Sequence, residues 1–517
     1  MGTQESNKGL FSYIDKTTFI PSVGILAIAL VSIIFFPELT NKILSTLQSK
    51  FSIGMSWFII LIVGLNFFFL MWIALSKYGN IVLGETENDK PEFSTISWIC
   101  MLFSAGVGIG FICFGVAEPI WHLYDSTHTV NMGTAGTPAG VPMGIQVSIS
   151  NWGASCWALF AIGGLAIALP AYKKQLPMCI STGLYGLLGD KVTNSPWAKV
   201  VDVLGIIASV SGNAAALGMG ILSISTAMNL VFGISVSPML NAGIMLAIIL
   251  IYIICTITGL DRGIKFMSNA NVIVAGLLVI FILICGPSIY ILNLFTEVTG
   301  LYVREFINMN FFTDAGRLVP REWLQWWPVF YWLWWISYIP FIGGFVARIS
   351  RGRTLREFAL GVSIAPVGFS LIWFTTLGGA GAWAQFVDGL KIWETMQSSG
   401  TEPAIYMLLQ TYPMGTLACL IAICSLVTFT VTTSNSAAFF LAMQVSHGIA
   451  NPSKSALILW GSILGAVGLG VAIIGGSEAM KALKALTVVG ALPFCFVLGL
   501  YMISTYRMLK KIDTKTF

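Results

Sequence analysis

Ser104-Ala105-Gly106-Val107-Gly108-Ile109-Gly110 sits in the middle of an apolar stretch running from about 96 to 117. Its flanks, Met101-Leu102-Phe103 and Phe111-Ile112-Cys113, belong in hydrocarbon. Three alternating glycines weaken a helix there, and backbone groups freed inside a membrane are tolerated where they line a cavity. Glycine runs also serve close helix packing. The run alone therefore leaves two readings open, an unwound binding segment or a packing seam.

Further out, the chain supplies the membrane context. It has 517 residues, 56% hydrophobic and only 9% charged, against about 25% charged in a soluble domain. A helix crosses the hydrocarbon core with about 20 apolar residues. Twelve such stretches are expected, near 18–36, 54–75, 96–117, 143–169, 200–230, 238–259, 270–295, 325–347, 359–383, 414–444, 456–475 and 485–505. The first has no small-residue cleavage site after it and reads as a retained helix. Residues 1–17 and 507–517 read as cytoplasmic tails around one transmembrane domain, 18–506. With the N-terminus inside, most of the 27 Lys and Arg fall in the even-numbered loops and the two tails. Lys42, Lys50, Arg304, Arg317, Arg321, Lys391, Lys481 and Lys484 fall on the other side, and none sits mid-span. This bias places both termini in the cytoplasm and supports an even span count. The long external segments are 118–142 and 296–324, the second with an amphipathic stretch at Tyr302–Ile307.

The span near 325–347 carries Trp332-Leu333-Trp334-Trp335-Ile336-Ser337-Tyr338-Ile339-Pro340, then Gly343-Gly344. Two Gly/Pro-interrupted spans five helices apart predict an inverted five-helix repeat, spans 3–7 and 8–12, with a site where the interruptions meet.

Carboxylates are scarce in the spans: Glu118, Asp202 and Asp261 read as lying at span ends. A proton relay of intramembrane acids is therefore not expected. Nine cysteines without a Cys-x-x-Cys and three histidines give no disulfide framework, no zinc site and no resident cofactor. There is no acid, base or metal motif for an intramembrane enzyme, no filter sequence or charged ring for a channel, and no signalling domain for a sensor. Nothing suggests nucleic-acid binding.

Tryptophan, by contrast, is abundant at 17. Many will be interfacial. Two groups lie deeper: Trp152, Trp157 and Phe160 within an arc of about 140° on span 4, and Trp334, Trp335 and Tyr338 within about 100° on span 8. Such faces attract quaternary ammonium groups at about 0.5–2 kcal/mol per ring. Four or five rings supply several of the roughly 8 kcal/mol that micromolar affinity needs, without a fixed negative charge. Aromatic packing between helices is the competing explanation. Span 10 adds Thr428, Thr430, Thr432, Thr433, Ser434, Asn435 and Ser436. Such hydroxyls usually back-bond within their helix. Beside free carbonyls they also suit Na⁺, a hard cation that takes oxygen ligands.

At these residues the chain resembles the betaine/carnitine/choline transporter (BCCT) family. The resemblance rests on Pro91-Glu92-Phe93-Ser94-Thr95 with Trp98, the glycine run 104–110, Ala117-Glu118-Pro119, Phe330-Tyr331-Trp332 with Trp334-Trp335-Ile336-Ser337, and Ala347-Arg348-Ile349-Ser350-Arg351-Gly352-Arg353. It implies an all-α LeuT-type secondary transporter, a homotrimer in a bacterial or archaeal inner membrane, working by alternating access. It implies an aromatic box at Trp152, Trp157, Trp334 and Trp335. Phe160 stands where betaine carriers have tyrosine, and Tyr338 where they have tryptophan. Gly106, Gly108 and Gly110 would border the substrate. A sodium site would take backbone near Ser104 and Val107 with the hydroxyls of Thr432 and Thr433. Asn271 replaces an arginine of the sodium-independent carnitine exchangers, and Gly110 an acid of proton-coupled choline carriers. A second sodium site lacks span-5 hydroxyls at Asn213-Ala214-Ala215-Ala216. The expected function is sodium-coupled transport of a glycine betaine, choline or carnitine type compound, with trimethylamine carriage, by exchange if not symport, as the alternative. Osmotically activated members carry a long basic C-terminal extension. Eleven residues stand here, so constitutive uptake is expected.

Overall fold

The computed structural model describes residues 14–106, 108–125, 134–258, 263–316, 321–474 and 476–514. Apart from short 3-10 turns and one π segment, its elements are α1 Lys16–Phe35, α2 Pro37–Gly54, α3 Ser56–Leu75, α4 Thr95–Gly106, α5 Gly108–Phe114, α6 Ala117–Tyr124, α7 Val141–Trp152, α8 Ala154–Lys173, α9 Tyr185–Leu188, α10 Pro196–Phe232 and α11 Pro238–Ile257. They continue as α12 Lys265–Cys285, α13 Ser288–Phe311, α14 Arg321–Leu324, α15 Phe330–Ile349, α16 Leu355–Ser363, α17 Ala365–Phe386, α18 Ile392–Ser399, α19 Pro403–Gln410, α20 Gly415–Val445, α21 Lys454–Ile474 and α22 Gly476–Asp513. Extended pairing is limited, among the described residues, to a single antiparallel bridge between Val82 and Thr354.

Among the described residues, ten helical segments are long and apolar enough to cross a membrane, eleven if the bent pair α4–α5 counts as one span. A shorter apolar helix, Lys454–Gly470, lies in α21. The hydropathy reading of twelve spans thus corresponds to ten or eleven full-length ones. The amphipathic stretch expected at 302–307 is part of α13, whose Tyr302 is buried while Val303 and Ile307 are exposed. The helix of the last span continues past Tyr506. The helix runs on to Asp513, buries Met508 and Leu509, and is tied to Lys77 by a 2.5 Å ion pair.

The described ends lie on one face. Asp15 accepts from Lys199 at 2.6 Å, and the same face holds the Lys173–Glu87 (2.6 Å), Arg348–Glu92 (2.7 Å) and Arg351–Asp89 (3.2 Å) pairs. Arg353 stacks over Trp98 at 4.1 Å. This basic layer clamps the segment before α4 to the loop after α15, through Leu83 N–H to Arg353 O and Gly352 N–H to Leu83 O.

Two expectations about helix breaks are corrected. Span 8 is not interrupted: α15 runs unbroken through Pro340 and Gly343-Gly344. Its glycines serve packing. A methyl group on Gly343 would stand 2.8–2.9 Å from the Gly163 and Gly164 backbone of α8, and one on Gly344 would overlap Phe440. The second break lies in span 4, at Gly153 between α7 and α8. Trp152 and Trp157 therefore sit on different helices, so an arc computed for one helix does not describe them.

Candidate functional site

The chain bends by 64° between α4 and α5, at the glycine run. The glycines admit rings to the backbone. A methyl on Gly106 would come 3.1 Å from the Trp157 indole, one on Gly108 would overlap Phe429, and one on Gly110 would overlap Trp152.

Against this segment lies a cavity bordered by Gly106, Gly108, Ile109, Gly110, Trp152, Ala216, Trp334, Trp335, Tyr338 and Thr433. Trp334 and Trp335 are stacked, with centroids 4.8 Å apart and planes at 10°. Trp152 stands edge-on to Trp335 at 4.8 Å, and Tyr338 is 5.9 Å from Trp335. The rings are pinned by their polar edges: Trp335 Nε1 donates to Asn151 O (2.9 Å) and Tyr338 Oη to Gly212 O (3.3 Å). The cavity volume is about 10 Å³, room for about one water. The rings close on one another, so a methylated ammonium group fits only when they part.

Of the six expected box aromatics, four border this cavity. Trp157 and Phe160 form a layer beside it: Trp157 meets Phe160 edge-on at 5.6 Å, and Phe160 lies 6.3 Å from Trp335.

Three of the four expected sodium-site residues also converge beside the cavity, which Thr433 itself borders. Ser104 O accepts from Thr432 Oγ1 (3.1 Å) and Thr433 Oγ1 (3.4 Å). Thr432 Oγ1 also back-bonds to Thr428 O at 2.9 Å. Asn271 adds to the cluster, its amide 3.4 Å from Thr432 Oγ1 and its carbonyl accepting from Thr428 at 2.9 Å. Val107 lies outside the described residues. The set consists of neutral oxygens without a thiol or imidazole, which suits a hard monovalent cation.

Glu118 is where residue-by-residue reading fell short. Hydropathy puts it at a span end, yet it is 1% exposed. Its carboxylate accepts from Trp152 Nε1 (2.8 Å), Asn151 Nδ2 (2.8 Å) and Tyr331 Oη (2.6 Å). It lies directly behind a wall of the cavity and fixes the Trp152 indole. The expectation that no acid is buried near the site is thus corrected. The signal in the sequence is Ala117-Glu118-Pro119, an acid between an alanine and a proline just past the glycine run. Asp202 is buried too, holding Ser181 N–H (2.8 Å) and Oγ (2.9 Å). Asp261 lies outside the described residues.

Beyond Tyr331 a second, wider cavity of about 590 Å³ opens on the face away from the described ends, bordered by Trp323, Trp326, Trp327 and Phe330 among others. Tyr331 separates the two spaces, stacked on Trp327 (6.1 Å) on one side and 5.8 Å from Trp335 on the other.

A multi-pass helical bundle with a closed aromatic chamber at a broken helix, and a second cavity beyond it, has the form of a membrane carrier. A family model described as BCCT, betaine/carnitine/choline family transporter, matches residues 17–514, and the chain belongs to that family. It is a transporter, not an enzyme. The glycine betaine transporter OpuD of Bacillus subtilis is 34% identical, over 95% of this chain and 93% of that protein. A probable glycine betaine transporter of Desulfitobacterium hafniense is 35% identical, over 93% and 94%. An ectoine/hydroxyectoine transporter of Virgibacillus pantothenticus is 36% identical, over 90% of each.

Proposed function

We propose that the chain is a sodium-coupled symporter of a small trimethylammonium compound, glycine betaine foremost, working by alternating access. The observation that carries this is the chamber of Trp152, Trp334, Trp335 and Tyr338 against the 106–110 backbone. Its rings offer π faces to a cation that has no N–H to hydrogen-bond, and cation–π attraction is the main force such an ion can use. Two of the relatives above are named for glycine betaine. Sodium occupies the cluster of Ser104, Val107, Thr432 and Thr433, where binding stiffens the contact between α4 and α20 and so favours the closed chamber. The basic face is cytoplasmic, by the distribution of Lys and Arg. The protein works as a homotrimer in a bacterial or archaeal inner membrane, as the family resemblance implies.

The test is an uptake panel in proteoliposomes: radiolabelled glycine betaine, choline, carnitine and trimethylamine, each with and without an inward sodium gradient. Glycine betaine should accumulate only with the gradient. Accumulation indifferent to sodium, or transport of none of the four, overturns the proposal.

A further inference from the structure

The cavities differ in charge. The chamber is bordered by rings, glycine backbone, two aliphatic side chains and one hydroxyl, with no formal charge. The cavity on the basic face is charged, but its Arg348 pairs with Glu92 and its Arg351 with Asp89. The outer cavity differs from both. Lys484 of α22 and Glu402, just before α19, border it together with Asp125, just after α6. Neither Lys484 nor Glu402 has an opposite charge at ion-pair distance among the described residues.

Two partly buried opposite charges in one cavity would ordinarily close on each other, because each gives up hydration and is compensated only by a partner. Unpaired on one cavity that Trp326, Trp327 and Phe330 also border, they complement a ligand that itself bears both charges. The rings and the Glu402 carboxylate suit a methylated ammonium. The compact Lys484 ammonium suits a carboxylate. Clefts with low-dielectric walls focus such fields and raise the local concentration of a matching solute. The chamber beneath has no side-chain cation with which to tell a betaine from a plain cation.

The geometry points to Lys484 and Glu402 as the pair that selects zwitterions, molecules carrying an ammonium and a carboxylate together, over plain cations before they pass Tyr331. This rests on the proposed carriage of methylated ammonium compounds and narrows it to those bearing a carboxylate. The ectoine/hydroxyectoine relative is named for zwitterions without a trimethylammonium group, which suits selection by charge pattern as well as by methyl groups.

The test uses the full chain in proteoliposomes under a sodium gradient, with glycine betaine, its methyl ester and choline as competitors. In wild type, glycine betaine should compete at least tenfold better than its methyl ester, which keeps the cation and loses the anion. Lys484→Gln should raise the apparent KM for glycine betaine about tenfold with Vmax within twofold, and shrink the preference over choline. Lys484→Arg, which keeps the charge, should retain most of it. Glu402→Gln should weaken betaine and choline alike. Equal competition by betaine and ester in wild type overturns the inference without any variant. So does an unchanged betaine/choline ratio in Lys484→Gln. If wild type carries neither glycine betaine nor choline, the proposed function fails instead, and the two failures are told apart.

Discussion

Two helices of this molecule carry glycine in the same kind of apolar setting, and the fold uses them in opposite ways. Between α4 and α5 the run 106–110 bends the chain and brings backbone against Trp152, Trp157 and Phe429. In α15 Gly343 and Gly344 leave the helix unbroken and bring it against the α8 backbone and Phe440. The first run makes a chamber and the second makes a seam. Composition does not separate them. What separates them is what the contacts leave: the first run borders a cavity with Trp152, whereas Gly343 meets the Gly163-Gly164 backbone and Gly344 the Phe440 ring, and neither borders that cavity.

The largest effect expected from this contrast is at Gly110. Gly110→Val places methyl groups where the Trp152 ring stands, and that ring cannot swing aside, because Glu118 holds its Nε1 and it is fully buried. Uptake should fall at least 100-fold while the purified protein remains monodisperse on size-exclusion chromatography. Near-normal uptake would show that the bend, not the chamber, is what the run provides. Gly343→Ala should do the reverse. It presses on backbone that has nowhere to go and should cost about 1–3 kcal/mol of stability, read as a lower midpoint in a thermal aggregation assay. Uptake per folded molecule should stay within about threefold. A transport defect without a stability defect would make α15 a second moving segment.

A smaller effect is expected at the end of α4. The Ser104 carbonyl stands at the break and receives Thr432 and Thr433. Replacing both threonines by alanine should raise the sodium concentration for half-maximal uptake five- to tenfold and leave the substrate KM at saturating sodium within about twofold. Equal changes in both would mean that the hydroxyls merely support the helix contact. Smaller again is the difference between ring layers. Trp157 does not border the cavity, so Trp157→Phe should raise the substrate KM less than threefold, against more than tenfold for Trp152→Phe.

Where the spans lie could be read from hydropathy, because hydrocarbon imposes a simple rule on long apolar runs. Trp152, Trp157, Phe160, Trp334, Trp335 and Tyr338 could be picked out as candidates, because tryptophan away from the interfaces is unusual; which four of them border the cavity could not, because the break at Gly153 puts Trp152 and Trp157 on different helices. What could not be read depended on contacts between distant segments. The partner that makes Gly343 a packing residue is some 180 positions upstream. The break at Gly153 has only a single glycine as its sign, and single glycines are tolerated in membrane helices. Glu118 follows the turn after α5, and only the fold back onto α7 buries it against Asn151 and Trp152. Lys484 looked like one more topology-setting charge until α22 was packed against the outer cavity.

The central claim is that the stacked tryptophans hold the substrate's methylated ammonium group in a sodium-linked cycle. Its most direct test is the initial rate of radiolabelled glycine betaine uptake into proteoliposomes, with and without a sodium gradient, for wild type, Trp335→Phe and Trp335→Ala. The account predicts saturable, sodium-dependent uptake in wild type, a KM raised several-fold in Trp335→Phe, which keeps a smaller π face, and no measurable uptake in Trp335→Ala. A Trp335→Ala protein that transports glycine betaine with the wild-type KM would contradict it.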